Sequence, residues 1–343
     1  MIVDMHAHLY PERYMEELAR SGGRYGVGVE RAADGHRFLR FEGIRYWWYV
    51  APFYDVALRL AAMDQAEVDR QVLSMGPPMV FWADPPLGAR LSRLLNEEIA
   101  RVVEQHPDRF VAFAAVPLQD TALALAELEY AVGTLGHRGV GIGSNVHAKP
   151  LDHPDLAPFW AAVQDLDVPV FIHPINPCGQ PAIHDYRLDL VVGFPFDTTL
   201  AAARLIYGGV LERYPDLKLI FAHLGGALPF LRERLEIGYR TRGAFPDNPL
   251  VLPHAPSEYL QRCYFDAVSF DTPALMCACA CAGADHVVLG SDAPFAVGSM
   301  ERSVAATRAY GFASAADKAL MLGGNAARLL KLDTPSPPGR GLG

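Results

Sequence analysis

Eight short apolar runs, separated by segments of helical periodicity, constrain the fold of this chain most strongly. Near-continuous apolar runs of four to ten residues are typical of strands that are buried on both faces of a parallel sheet. Alternation of such strands with helices predicts a (β/α)8 TIM barrel. The predicted strands lie at 1–10, 71–75, 110–116, 139–143, 168–173, 217–223, 263–266 and 286–292.

The intervening segments carry apolar residues at helical spacing, and the predicted helices lie at 55–69, 87–106, 123–135, 158–165, 198–214 and 226–240, with the last at 325–331. A length of 343 residues suits one barrel, and no linker divides the chain. We therefore expect a single domain over residues 1–333. The Pro- and Gly-rich residues 334–343 are predicted to be a flexible tail.

Two segments lack a sustained period. Residues from about 10 to 52, directly after the first strand, are predicted to be an irregular insertion over the barrel mouth. The aromatic run 46–49 within it favours either a lid over the site or a structural cluster of rings. Residues from Pro174 to about Gly193 are rich in Pro and Gly and predict a loop.

Polar residues interrupt the apolar runs at their carboxyl ends. His6 and His8 are two positions apart on the first strand and should project from the same face. His173, His223 and Asp292 end the fifth, sixth and eighth strands. Because the carboxyl ends of barrel strands converge on one mouth, we expect all five side chains to meet in an active site.

Such a set of imidazoles and a carboxylate suits zinc with one coordination position left open, although manganese and iron accept the same ligand types. The fourth strand ends in Gly143-Ser144-Asn145 and offers no Glu or Lys to bridge two ions. A site with one metal ion is therefore predicted. An open position would lower the pKa of a water molecule or polarise a substrate carboxylate.

Composition excludes other classes of protein. A net charge of -9 without a basic stripe argues against nucleic-acid binding. No leader and no apolar segment long enough to span a bilayer is evident, so a membrane protein is not expected. Cys277, Cys279 and Cys281 could suggest a metal site, but their small apolar neighbours favour a helix packed against the sheet. Free thiols predict a cytoplasmic location.

Several motifs together resemble the amidohydrolase superfamily, in the branch that contains 2-amino-3-carboxymuconate 6-semialdehyde decarboxylase and related non-oxidative decarboxylases. The similarity covers nearly the whole chain, and the branch also contains hydratases and lactonases. The motifs are Asp4-Met5-His6-Ala7-His8, Ile172-His173-Pro174, Ala222-His223-Leu224-Gly225-Gly226 and Gly290-Ser291-Asp292-Ala293-Pro294-Phe295.

The resemblance implies a role for each matching position. It assigns one zinc ion to a ligand set, and His223 becomes the histidine that moves protons beside the metal. Arg234 matches an arginine that reaches the neighbouring subunit's site in a homodimer. The implied ligands are His6, His8, His173 and Asp292.

One implied residue is missing from the insertion. The branch places a second substrate-binding arginine there, and the aligned position is Trp47, with Arg45 as the nearest substitute. The resemblance therefore does not identify the natural substrate, whereas the metal site is intact.

The function implied is a zinc-dependent, non-oxidative decarboxylase of a small unsaturated or aromatic carboxylic acid. His223, or Asp292 in its place, would deliver a proton to the carbon that bears the carboxylate. The alternative is a metal-dependent hydrolase or hydratase that acts on a lactone, an amide or an enol acid. A metal-binding structural or sensor protein is a third class, which the retention of His223 disfavours.

Overall fold

The computed structural model describes residues 1–175, 183, 185–245 and 247–332. The predicted flexible tail, residues 334–343, lies outside them. The strands are β1 Val3–His8, β2 Val27–Arg31, β3 Arg37–Phe41, β4 Ile44–Tyr49, β5 Arg70–Ser74, β6 Phe110–Ala115, β7 Gly139–Gly143, β8 Asn145–Val146, β9 Lys149–Pro150, β10 Val170–His173, β11 Leu219–Phe221, β12 Tyr264–Asp266 and β13 Val287–Val288.

Eight of these strands form one sheet in the order β1-β5-β6-β7-β10-β11-β12-β13, and every neighbouring pair is parallel. The ends of the sheet meet where the Met5 N–H donates to the Leu289 carbonyl at 2.9 Å and the His8 N–H donates to the Ala293 carbonyl at 2.8 Å. An isolated parallel bridge between Ala7 and Ala293 lies at the same seam. The predicted (β/α)8 barrel is confirmed.

Helices cover the outside of the barrel. They are α1 Glu12–Ser21, α2 Val56–Gln65, α3 Pro85–Gln105, α4 Thr121–Glu129, α5 Ala157–Leu166, α6 Phe194–Tyr207, α7 Val210–Arg213, α8 Leu228–Arg240, α9 Pro256–Leu260, α10 Thr272–Ala282, α11 Met300–Ala309, α12 Ala315–Ala319 and α13 Asn325–Leu330. The helix predicted over 198–214 is two helices, because Gly209 adopts a left-handed conformation with φ of 70°. α10 carries the cysteine run, and Cys281 is buried.

Two predicted strands are shorter than expected at the mouth. The eighth was expected over 286–292 but ends at Val288, and the sixth was expected over 217–223 but ends at Phe221. The polar residues that follow both have left-handed backbone conformations, with φ of 59° at Asp292 and 56° at His223. The residues that carry chemistry therefore lie on turns just beyond the strands.

The prediction of an irregular insertion was wrong. Residues 10–52 contain helix α1 and an antiparallel sheet of β2, β3 and β4. Glu42 and Gly43 join β3 to β4 with φ of 48° and 82°, the positive pair that a tight two-residue hairpin turn requires. The buried residues of these strands are few and partly adjacent, so the sequence shows no regular alternation that would indicate a sheet. The predicted lid role is not tested by this architecture.

One helical stretch, Asp185–Tyr207, is long and apolar enough by length and composition to cross a bilayer. The sequence-based expectation that the chain has no such segment is therefore corrected. Half of its apolar window is buried inside the protein, which is how a core helix of a barrel would pass the same test. The finding is weak evidence for a membrane span.

Candidate metal centre and its cavity

Four side chains from three distant parts of the chain meet at the barrel mouth. The ligand atoms of His6, His8, His173 and Asp292 all lie within 4.8 Å of one another, and all four residues are buried. The His6 and His8 Nε2 atoms are 3.0 Å apart, and Asp292 Oδ1 lies 3.2 Å from the first and 3.3 Å from the second. The structure thus brings together the four residues that the resemblance assigned to the metal.

The polar atoms in this cluster fit a bound cation. His173 Nε2 and Asp292 Oδ1 are buried and have no hydrogen-bond partner among the described residues. Buried polar atoms without partners are rare and call for an explanation such as an ion. Three imidazoles and one carboxylate are also a donor set that divalent transition metals accept. The cluster is therefore able to bind a metal ion.

Each histidine of the cluster is oriented by a contact of its other ring nitrogen. His6 Nδ1 lies 2.6 Å from Asp266 Oδ2, and His173 Nδ1 lies 2.7 Å from the Pro174 carbonyl. His8 Nδ1 lies 3.3 Å from Ser74 Oγ. Partners of this kind fix the ring and the tautomer of a metal-binding histidine.

Asp266 was missed by the sequence analysis although it ends the seventh strand. It is fully buried, and its second oxygen accepts hydrogen bonds from the Leu224 N–H at 3.2 Å and the Val268 N–H at 3.0 Å. The rule that placed His173 and Asp292 at the mouth applied equally to a carboxylate at the end of β12. The same rule could therefore have identified Asp266, which orients the His6 ring.

Electrostatics separate the members of the cluster. Burial would lower the pKa of His6, but the charges of Asp292 and Asp266 outweigh it and raise the pKa to about 10. Burial lowers the pKa of His8 to about 4 and that of His173 well below its usual value. Those two rings are therefore neutral, which is the form that binds metals. A divalent ion bound here would displace the proton on His6.

Asp292 is held ionised. Burial by itself would raise its pKa, but the charge of His6 and the nearby ring nitrogens of His223, His6 and His8 lower the pKa well below the ordinary range. A carboxylate that stays charged in a buried site needs a cationic partner, because an isolated buried charge is costly. The site is therefore built around a positive centre beside Asp292.

His223 lies beside the cluster but outside the group of four. Its Nε2 is 3.6 Å from Asp292 Oδ2, and its ring centre is 5.3 Å from that of His6 and 5.3 Å from that of His173. The side chain is 14% exposed, whereas the rings of His6 and His8 are fully buried. Its Nδ1 has no hydrogen-bond partner among the described residues.

A cavity of about 490 Å³ is lined by Asp292 and by aromatic rings. Trp47 stacks on Tyr10 and on Phe53, each with ring centres 4.9 Å apart, and Phe295 places its ring 5.1 Å from that of His8. The cavity is therefore mostly apolar, with a few polar groups, as small-molecule sites usually are. Its aromatic lining residues include Tyr46, Trp47, Phe53, Phe194 and Phe295.

The two predicted substrate residues of the insertion differ in position. Trp47 lines the cavity, and its Nε1–H donates to the Pro77 carbonyl at 3.0 Å. Arg45 is not part of the lining: its guanidinium lies 4.7 Å from the ring centre of Phe38 and 4.4 Å from that of Trp48. Of these two rings, Trp48 lines the cavity and Phe38 does not. The predicted substrate role of Arg45 stays a prediction.

Arg187 lines the cavity instead. The sequence analysis missed it because the segment from Pro174 to Gly193 was taken as a loop without assigned residues. Within it, Asp185–Arg187 forms a short 3-10 turn and Asp189–Gly193 a π-helix that leads into α6, while residues 176–182 and 184 lie outside the described part.

Arg234 lies on α8 and is exposed. Neither neighbouring glutamate engages it, since Glu233 and Glu236 both pair with Arg240. Within the described ranges no hydrogen bond or ion pair to Arg234 is found. The structure therefore leaves its guanidinium free and outside the cavity of its own chain.

Comparison with known proteins agrees with this geometry. The amidohydrolase family model matches residues 3–332. A 2-amino-3-carboxymuconate-6-semialdehyde decarboxylase from Dictyostelium discoideum is 34% identical over 333 residues, covering 96% of this chain and 92% of that protein.

Two solved structures share the fold along their whole length. The 5-carboxyvanillate decarboxylase from Sphingomonas paucimobilis superposes with a TM-score of 0.84 at 27% identity, covering 97% of this chain and 99% of that one. A dihydroxybenzoic acid decarboxylase from Polaromonas, with bound manganese and the inhibitor 2-nitroresorcinol, superposes with a TM-score of 0.78 at 28% identity, covering 97% and 98%.

These matches confirm the resemblance read from the sequence motifs. The chain therefore belongs to the amidohydrolase family, in the branch of 2-amino-3-carboxymuconate-6-semialdehyde decarboxylase and related non-oxidative decarboxylases, and is a metal-dependent carboxy-lyase of that branch.

Proposed function

We propose that this protein is a zinc-dependent, non-oxidative decarboxylase of a small aromatic or conjugated carboxylic acid. The observation that carries the proposal is the convergence of four buried ligand atoms within 4.8 Å on a cavity with aromatic walls. His6, His8, His173 and Asp292 would hold the ion. Zinc follows from the donor set, and the manganese bound to the Polaromonas relative makes manganese the second candidate.

The cavity suits a planar acid. Aromatic walls stack on a conjugated ring system and exclude water from the reacting group. Exclusion of water favours loss of carbon dioxide, because an anionic carboxylate becomes a neutral molecule that needs no solvation. When bound, the metal supplies a positive centre that orients the substrate carboxylate or a neighbouring hydroxyl.

The chain's own residues would move the proton. His223 delivers it to the carbon that bears the carboxylate. Asp292 is the competing donor, but its carboxylate is ionised at rest and would first take the proton from His223, whose Nε2 lies 3.6 Å from Asp292 Oδ2. The bond to the carboxylate then breaks, its electron pair returns to the conjugated system, and the added proton takes the place of carbon dioxide. The His223 side chain is 14% exposed, and this partial exposure lets it exchange that proton with solvent.

We also propose a homodimer in which Arg234 completes the partner's site. Phe230, Arg234 and Ile237 follow one face of α8 at helical spacing, and all three are exposed, Phe230 to 80%. Phe196 and Leu200 add exposed apolar side chains on α6, which is joined to α8 by the hydrogen bond from Tyr207 Oη to the Leu235 carbonyl. Exposed apolar patches of this kind mark protein interfaces. We assign this interface to a second copy of the chain, because Arg234 lies on it with no partner among the described residues.

The first prediction tests the reaction. Protein stripped by a chelator and reloaded with zinc or manganese should release carbon dioxide from 2,6-dihydroxybenzoate, 6-methylsalicylate, 5-carboxyvanillate or a related acid. The stripped protein and the His6→Ala and Asp292→Ala variants should release none, because the ligand set is incomplete. Carbon dioxide evolution is the measurement. Cleavage of a lactone or an amide without decarboxylation of any acid would favour the hydrolase alternative.

The second prediction concerns the orientation of His6. Asp266→Asn removes the charge that fixes the His6 ring, and the affinity for a divalent ion should fall about 10- to 100-fold. Competition with a fluorescent chelator measures the change. Asp285→Asn is the matched control, because Asp285 contacts His286 at 3.2 Å on the surface and should bind metal as the wild type does. Equal affinities for both variants would remove Asp266 from the support of the site.

The third prediction separates proton transfer from metal binding. His223→Ala should retain about one ion per chain while the turnover number falls about 10²- to 10⁴-fold, the usual contribution of general acid–base catalysis. Metal analysis and steady-state kinetics on the same preparation decide. His254→Ala, which alters an exposed histidine beside Glu258, is the control and should behave as the wild type does. Loss of the ion from His223→Ala would make His223 a ligand.

The fourth prediction concerns the shared site. Arg234→Ala should raise KM about 10- to 100-fold in an intact dimer, because a charge-assisted hydrogen bond to the substrate is lost. Arg232→Ala, two residues away on the side of α8 near Cys281, should leave the kinetics unchanged. Sedimentation velocity establishes the oligomeric state of each variant. A monomeric wild type, or unchanged kinetics in a dimeric Arg234→Ala, would contradict the proposal.

A further inference from the structure

Arg187 supplies a cation to the wall of the same cavity that Asp292 lines. Among the described residues, Arg187 is the arginine in this lining, and Asp292 is its other charged member. The remaining lining residues are apolar or aromatic side chains, apart from His36. A guanidinium in a mostly apolar cavity is a strong attraction for an anionic ligand group, because few other polar groups compete for it.

Fixed partners orient the Arg187 guanidinium and use only some of its N–H donors. The Arg187 Nε–H and one Nη2–H donate to the two oxygens of Asp189, at 3.1 Å and 3.3 Å. One Nη1–H donates to the Tyr46 carbonyl at 3.4 Å. A guanidinium carries five N–H donors, and no other described residue accepts from Arg187, so one donor on Nη1 and one on Nη2 have no partner within the described part of the chain. Free N–H donors of a guanidinium are the groups with which an arginine binds a carboxylate.

Asp189 holds the Arg187 guanidinium in place and leaves it accessible to a ligand. Asp189 is largely buried at 12% side-chain exposure, whereas Arg187 is 49% exposed. The open part of the ion pair is therefore the guanidinium. A carboxylate behind an arginine restricts its rotamers, so less conformational entropy is lost when a ligand binds.

The backbone at this position is also specialised. Tyr186 and Arg187 both adopt left-handed conformations, with φ of 59° and 58°. Residues other than glycine adopt this conformation at a cost, and it persists where the surroundings hold it, commonly at ligand-binding sites. Here the contacts of the Arg187 side chain with Asp189 and the Tyr46 carbonyl hold the segment against β4 of the insertion.

We propose that Arg187 binds a second anionic group of the substrate, remote from the carboxylate that leaves. The natural substrate is then a planar acid with two acidic groups. This inference rests on the proposed function only for the assignment of the cavity as the substrate site. It also accounts for the tryptophan at position 47, since the cation expected from the insertion is provided by a different segment of the same chain.

The test compares two ring acids that differ by one carboxylate. Calorimetric titration of zinc-loaded protein should give a dissociation constant for isophthalate about 10- to 100-fold lower than that for benzoate. Arg187→Met should remove this difference and leave benzoate binding unchanged. Arg187→Lys should retain part of it, because a point charge replaces a bidentate one. Arg13→Met removes an arginine that pairs with Glu98 at 2.9 Å and does not line the cavity, and this variant should titrate as the wild type does.

The outcomes separate this inference from the proposed reaction. Equal affinity of the wild type for both acids, or a preference for isophthalate that survives in Arg187→Met, would overturn the role of Arg187. Binding of isophthalate that depends on Arg187, in a protein that releases carbon dioxide from no acid, would contradict the decarboxylase and leave the anion site standing. If Arg187→Met does not fold, Arg187→Gln gives the same comparison, since glutamine can still donate to Asp189.

Discussion

The structure depends on how its barrel closes. The last strand, β13, has only two residues, so a long ladder cannot join it to β1. The buried Asp4 carboxylate joins the two sides of the seam. Its Oδ1 accepts from the Ser291 N–H at 3.0 Å, and its Oδ2 accepts from Ser291 Oγ at 2.5 Å. The Asp292 N–H donates to the His6 carbonyl at 2.8 Å across the same seam, and this fixes the carboxylate beside the histidine pair.

The seam is supported from the opposite side by a buried polar chain. Gln71 Nε2 donates to Asp4 Oδ2 at 2.7 Å, and Arg59 Nη1 donates to Gln71 Oε1 at 2.7 Å. Arg59 Nη2 then donates to the His8 carbonyl at 2.6 Å. A buried network of this kind is favourable only when nearly all of its members are paired, and here it connects the first strand to helix α2. The histidines therefore project from a strand whose backbone is held at both His6 and His8.

Charge is distributed unequally over the site that the seam creates. Asp292, His6 and Asp266 concentrate ionisable groups at the base of the barrel mouth, whereas the cavity walls are aromatic. Positive φ angles at His223 and Asp292 aim both side chains into the mouth from turns beyond their strands. Such conformations cost about 1–3 kcal/mol each, so the packing around them must hold them in place. Rigid placement of this kind suits a metal centre and a neighbouring proton donor.

The sequence predicted the barrel and the four clustered residues because both follow from short-range patterns. Buried strands are read from apolar runs, and β7 matched its predicted bounds at Gly139 and Gly143. Short-range sequence patterns could not show which of Arg187 and Arg45 lines the cavity. Which arginine reaches the cavity depends on the stacking of Arg45 over Trp48 and on the ion pair of Arg187 with Asp189, and these contacts are set by tertiary packing.

The antiparallel sheet of the insertion was not predicted from the sequence. Its strands bury only some of their residues and lack the continuous apolar character of the barrel strands, and the turn at Glu42 and Gly43 was not identified. Asp266 shows a different reason for a miss. Its position was predicted, but its role depends on a 2.6 Å contact with His6 that only the closed barrel creates.

Anomalous diffraction from crystals of the metal-loaded protein, collected at the absorption edge of the bound ion, tests the central claim most directly. The account predicts one strong peak per chain within coordination distance of His6 Nε2, His8 Nε2, His173 Nε2 and an Asp292 carboxylate oxygen. A peak that lies elsewhere, or a well-ordered cluster without one in protein that decarboxylates its substrate, would contradict it.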